Sequence, residues 1–210
     1  MQAFFLRIID FIFPPRDTEA LVREADIEEI GRLAAPVIMP CGTVALLPYR
    51  ARLIQALIIE AKFKDSRLAQ QRLARILADY LAEWSAESAS YESKPVLLVP
   101  VPLSRQRMRE RGYNQVEKIL HETLLVTPEI GSLANHALIR SRHTTPQTSL
   151  GGQQRRKNMA GAFTALGPID SSSIYVIIDD VITTGTTLEE AASCLRAAGA
   201  EDVRTLALAH

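Results

Sequence analysis

The chain has 210 residues, with 24 Lys and Arg against 24 Asp and Glu, 47% hydrophobic residues and 23% charged. That apolar content at zero net charge excludes a disordered chain, and 10 Gly with 11 Pro exclude a collagenous or low-complexity one. The two cysteines, Cys41 and Cys194, have neither CxxC nor Cys/His spacing. They cannot build a disulfide framework or a structural zinc site, which points to a reducing, cytoplasmic setting.

At the start of the chain Phe5, Ile8, Ile9 and Ile12 recur at helical spacing, which predicts a short amphipathic helix laid against the protein's own body, the commoner outcome, or against a partner. Arg7 and Asp10 break this apolar opening and no cleavage site follows, so it does not read as a signal peptide. No stretch of 18 apolar residues occurs, so membrane insertion is not expected. Residues 17–35 read as helical, and Pro36 and Pro40 then break the pattern before residues 43–49. A longer helical region carries Leu53, Leu57 and Ile58, then Leu68, Leu73, Ile76, Leu77, Leu81 and Trp84, interrupted at residues 62–65. The small polar tract 85–93 is a predicted linker. Residues 95–101 form an apolar run without alternation, the pattern of a strand buried on both faces.

From there the expected order is a basic loop, a helix over 113–125, a short strand over 137–139 and a second basic loop. A strand over 174–178, a helix over 188–198 and a strand over 203–208 complete it. Strands alternating with helices predict an α/β fold, a parallel sheet flanked by helices, with a small and mostly helical N-terminal appendage. Ligands of such sheets sit outside the carboxyl ends of the strands.

Charge is unevenly distributed. Residues 104–158 hold ten cationic and four anionic side chains, so this stretch is at +6 and the remainder at −6. Arginines dominate it, and a guanidinium fork suits pyrophosphate, sugar phosphate or a nucleic-acid backbone.

The chemistry concentrates in residues 174–187, Ile-Tyr-Val-Ile-Ile-Asp-Asp-Val-Ile-Thr-Thr-Gly-Thr-Thr. An apolar strand leads to Asp179 and Asp180, then to a turn of Thr183, Thr184, Gly185, Thr186 and Thr187 that opens a helix. The turn offers N–H groups and hydroxyls at a positive helix end, which favours a dianionic phosphate. Gly185 lets the backbone approach such a group, and the two carboxylates can accept from a pair of neighbouring ribose hydroxyls. Helix capping by Asp179 and Asp180 is the plainer alternative.

Residues 176–187 resemble the phosphoribosyltransferase superfamily, whose signature is an apolar strand, two acidic residues and a Thr/Gly-rich loop. The chain is further similar to the ComF/GntX group in four segments: Ala61-Lys62-Phe63-Lys64; 99–103 running into Arg111-Gly112-Tyr113-Asn114-Gln115; 140–147; and 155–163. The resemblance covers about residues 43–208 and implies a type I phosphoribosyltransferase-like domain over 43–210. It implies that residues 183–187 hold a 5-phosphate and that Asp179 and Asp180 contact the ribose hydroxyls. That group commonly opens with a four-cysteine zinc module, whereas here only Cys41 stands in the region, so residues 1–42 are read as a helical appendage without metal.

Around a phosphoribosyl pyrophosphate ligand, Mg2+ and cationic side chains are expected to neutralise the pyrophosphate. Arg105 and Arg107 follow the 95–101 strand and are placed for that role. Arg140, Arg142 and Gln147 belong to a Thr-rich segment read as a lid, while Lys62 and Lys64 are weaker candidates. His121, His136, His143 and His210 show no metal-ligand spacing. Two functions are therefore expected from the sequence. One is transfer of a phosphoribosyl group to an unidentified acceptor. The other, implied by the ComF resemblance, is non-enzymatic handling of single-stranded DNA. Single-strand binders usually carry aromatic platforms beside the basic groove, and near the arginines only Tyr113 and Phe163 qualify, which weighs against the second reading without removing it.

Overall fold

The computed structural model describes residues 16–87, 94–140 and 161–210. The amphipathic helix expected around residues 5–12, together with Arg142, His143, Gln147, Arg155, Arg156 and Lys157, lies outside the described residues.

The elements in chain order are α1 (Asp17–Glu24), α2 (Ile27–Leu33), β1 (Val37–Ile38), β2 (Val44–Leu47), α3 (Arg52–Phe63), α4 (Arg67–Glu87) and β3 (Val96–Pro100). They continue with α5 (Arg105–Arg111), α6 (Gln115–Val126), β4 (Ser132–Leu133), β5 (Leu138–Arg140), β6 (Phe163–Ala165), β7 (Ile174–Val181), α7 (Thr186–Ala197) and β8 (Asp202–Ala209). The main sheet has the order β1-β2-β8-β7-β3-β4 and is parallel except for the β1–β2 hairpin. This is the α/β fold that the alternating pattern predicts.

Strand β7 lies at the centre because its run from Ile174 to Ile178 is apolar on both faces, and all five residues are buried. Successive side chains leave a strand on opposite sides, so one sheet divides the core in two. Val176 and Ile178, with Leu98 of β3, face the layer formed by α3, α4 and α6, where Leu57, Leu77 and Leu120 are fully buried. Tyr175 and Ile177, with Val99, face α7 through Leu188, Ala191 and Leu195.

The helical hairpin α3–α4 turns at Asp65, whose φ of 52° is reached outside glycine most readily by Asn and Asp. Its carboxylate accepts from Gln70 at 2.8 Å and from Lys118 of α6 at 2.6 Å, which ties the turn to the next helix. α1 is fastened to α3 through Glu60, only 1% exposed, which accepts from Thr18 at 2.7 Å and Arg16 at 3.2 Å. The β1–β2 hairpin crosses residue 42 and joins the main sheet through the β2–β8 pairing.

Three expectations need correction. The basic stretch after β3 is not a loop at its start but helix α5, capped by Ser104, whose hydroxyl accepts from the Arg107 amide at 3.3 Å. The strand expected over 137–139 leaves the main sheet and pairs antiparallel with β6 in a ribbon of its own, while β4 takes the sheet edge. α4 also runs through Glu87, beyond the expected start of a linker at Ser85, because Ser85 satisfies its hydroxyl on the Ala82 carbonyl within the helix.

Candidate functional site

The carboxyl end of β7 delivers Asp179 and Asp180, and the chain then turns into α7 within a few residues. Gly185 is the N-cap of α7 with φ 79°, a left-handed conformation that glycine adopts without strain. Thr183 and Thr184 are exposed, Thr186 is buried, and the hydroxyls of Thr184 and Thr186 lie 3.0 Å apart. No side chain caps α7, whose first-turn amides are the groups an anion would receive.

The close approach at Gly185 is to protein. A Cβ there would stand 2.4 Å from Sγ and 3.0 Å from Cβ of Cys41. The tip of the β1–β2 hairpin, closed by Gly42 donating to Met39 O at 2.8 Å, is therefore seated against the loop that opens α7.

The two carboxylates have different surroundings. Asp180 is 5% exposed and both its oxygens accept from protein donors: Oδ2 from Lys62 Nζ at 2.5 Å and from Gln115 Nε2 at 2.7 Å, and Oδ1 from the Val181 amide at 2.7 Å. Arg111 in turn donates to Gln115 Oε1, so a chain of donors from α5, α6 and α3 converges on one carboxylate. Asp179 is half-buried, and its Oδ1 accepts the Asp180 amide at 2.9 Å. Burial first, and repulsion from Asp180 second, push the Asp179 carboxyl up to about 7, against a weaker pull from the amide and from Lys62. The proton of the pair belongs on Asp179.

This has a consequence for stability. The folded protein holds that proton to about pH 7, whereas an unfolded aspartate releases it near 3.8. Between those values the native state binds more protons, so stability falls as pH rises through the window. Asp179→Asn is expected to flatten this part of the profile and to stabilise the protein above pH 7. Urea midpoints of both proteins from pH 5 to 8 check it; parallel profiles would refute the placement of the proton.

Of the arginines read from the sequence, Arg105 and Arg107 project from exposed positions on α5, and Arg140 ends β5 with its guanidinium 5.6 Å from the Phe163 ring centroid. Burial lowers the Arg140 pKa, as does Arg107, while Asp179 opposes the shift; the three charges thus share one region. Arg142 and Gln147 lie outside the described residues. Lys62, a weaker candidate from sequence, is the ion-pair partner of Asp180. Gln115, Arg111 and Cys41 were given no role by the sequence. The first two fall in the Arg111-Gly112-Tyr113-Asn114-Gln115 segment, and a glutamine opening a helix beside an apolar run was the available signal.

The aromatic expectations change. Phe163 is 5% exposed, so it is a core residue and no platform. Tyr113 is fixed by its hydroxyl, which donates to Ala61 O at 3.1 Å and accepts from the Asp65 amide at 2.9 Å. Cys194 is half-buried and burial raises its thiol pKa, in keeping with a packed residue. Among the described residues no group of three or more His, Cys, Asp or Glu comes together to hold a metal ion, and no helix is long and apolar enough to cross a membrane.

The sequence that builds this site is similar to that of known proteins. The phosphoribosyl transferase domain family matches residues 121–210, which contain β7, its loop, α7 and β8. Competence protein F of Haemophilus influenzae is 35% identical over 160 residues, covering 75% of this chain and 68% of that protein. The DNA utilization protein YhgH of Escherichia coli is 31% identical over 159 residues, covering 74% and 66%. The chain thus spans about two thirds of the length of these curated relatives. Among solved structures a hypoxanthine phosphoribosyltransferase from Staphylococcus aureus aligns at 15% identity over 66% of this chain and 61% of that one, with a TM-score of 0.37, too loose to add to the argument. The chain belongs to the ComF family of the phosphoribosyltransferase superfamily.

Proposed function

We propose that the carboxyl end of the sheet binds a ribose 5-phosphate unit, as phosphoribosyl pyrophosphate, and supports transfer of its phosphoribosyl group to an acceptor with release of pyrophosphate. The observation that carries this reading is the placement of Asp179 directly before a Gly185-capped helix, so that a carboxylate and an anion-receptive helix end stand at one strand terminus. The 5-phosphate would take the amides and hydroxyls of residues 183–187, and Asp179 would accept from the ribose hydroxyls. Asp180, engaged by Lys62, Gln115 and a backbone amide, holds the strand end in place.

The donor set also bears on Mg2+. With an ammonium on Asp180 Oδ2 and no cage of acidic groups among the described residues, the site suits an ion carried by the ligand's pyrophosphate and its own waters, near Asp179. Such an ion would neutralise the leaving group, assisted by Arg107 and Arg140.

Calorimetry with phosphoribosyl pyrophosphate tests the reading. At pH 8, where Asp179 is ionised, binding is expected to tighten with Mg2+ and to weaken about tenfold in Asp179→Asn, the loss of one charge-assisted hydrogen bond. Absence of binding with and without Mg2+ would end it. Pyrophosphate release with a panel of bases and amines then separates turnover from binding alone.

A second reading, handling of single-stranded DNA, is favoured by the relatives named for competence and DNA utilization and by the exposed arginines of α5. A basic track beside a sugar-phosphate site suits a polynucleotide as well as a pyrophosphate.

A further inference from the structure

We propose that Phe63 is a stacking platform for a base of single-stranded DNA, flanked by cations that take the neighbouring phosphates. The inference rests on the DNA-handling reading and gives it a site. Phe63 ends α3 and is 60% exposed, although the other apolar residues of that helix are buried or half-buried. A single exposed apolar side chain is ordinary. The setting of this one is not: the Arg111 guanidinium lies 5.2 Å from its ring centroid and Lys64 is exposed beside it, while Lys62, 6.0 Å from the centroid, is held by Asp180. An exposed aromatic ring among cations is an arrangement by which proteins hold single strands, the ring stacking on a base and the cations tracking the backbone.

Three further observations converge. The ring is held at the corner where the α3–α4 turn meets α5 and α6, since Tyr113 bonds both Ala61 and Asp65 on either side of Phe63. Its exposure is therefore fixed by packing around it. Arg107 stands within electrostatic range of both Arg111 and Arg140, so the cations run from the ring along α5 to the carboxyl end of the sheet. Among the described aromatics beside the arginines, Phe163 is buried and Tyr113 is half-buried with its hydroxyl bonded to backbone, which leaves Phe63 as the open one. A small free base would need an enclosing pocket to be held. A ring this open suits a base whose affinity is supplemented by phosphates on either side.

The test is fluorescence anisotropy of a short labelled oligothymidylate with the full chain, over a range of salt, together with an abasic strand of the same length. Phe63→Leu keeps an apolar side chain at this exposed position, so its thermal midpoint should be unchanged. It is expected to weaken oligothymidylate binding about tenfold, with the salt slope unaltered, while Phe63→Trp retains affinity. On the abasic strand, wild type and Phe63→Leu should bind alike. Arg107→Gln, by contrast, should lower the salt slope by about one unit on either strand. If wild type binds and Phe63→Leu binds equally well, the platform is wrong while the DNA-handling reading stands. If wild type shows no salt-dependent binding to either strand, the reading and the platform fall together.

Discussion

Replacing Gly185 by alanine is expected to destabilise the protein by about 3 kcal/mol. Two separate costs add. A side chain at φ 79° meets its own backbone, at about 1–2 kcal/mol. The new methyl would also stand 2.4 Å from the Cys41 sulfur, inside van der Waals contact, and must displace the tip of the β1–β2 hairpin. The second cost is removable: in a Cys41→Gly background both close atoms vanish, and Gly185→Ala should then cost only the backbone strain. Urea unfolding of the four proteins of this double-mutant cycle measures the coupling, and strict additivity would contradict the contact. The result also bears on function. A larger substituent at 185 acts on the phosphate loop through the hairpin, so loss of ligand binding in such a variant is interpretable only beside its Cys41 partner.

The Lys62→Met variant carries an effect of similar size. Its ammonium is a close donor to Asp180, a carboxylate with 5% exposure, and the side chain of Lys62 is itself only 24% exposed. Removing one partner of a buried pair leaves an uncompensated charge, typically at a cost of about 3–5 kcal/mol. Gln115 and the Val181 amide still donate to Asp180, which places the expected loss near the lower end, about 3 kcal/mol. Asp180→Asn in the same chain removes the stranded charge and should recover part of the loss. Denaturation midpoints of the single and double variants check this; a double variant no more stable than Lys62→Met would show that the charge is not the cause.

What was legible in the sequence follows physical range. β7, its carboxylates and the opening of α7 are contiguous, and an apolar run, two acids and a Thr/Gly turn each have a local cause, so the unit could be read directly. The α3 and α4 helices were legible from leucine and isoleucine spacing. α5 was not, because it buries no residue and has no apolar period; only Ser104 before it and Gly112 after it marked its ends. β4 is two residues long and owes its existence to the neighbouring β3, and β5 pairs with a strand beyond a long intervening segment. The site repeats this pattern. The Lys62–Asp180 pair joins residues 118 apart in sequence, and Cys41 meets Gly185 only because the N-terminal hairpin is drawn onto β8. The sequence pointed to a role for both aspartates in ligand contact, and only the packed structure separates Asp180, engaged by the protein, from Asp179. Phe63 lay inside a recognised segment, but its exposure is a property of the corner formed by α3, α5 and α6.

Binding of a sugar phosphate at the opening of α7 is read most directly by a residue-resolved NMR titration of the amide protons with ribose 5-phosphate. Saturable shifts are expected to concentrate at residues 183–187 and Asp179, with smaller changes along β3 and α5. Saturable binding that moves resonances elsewhere and leaves the amides of Thr184, Gly185, Thr186 and Thr187 unchanged would contradict this placement.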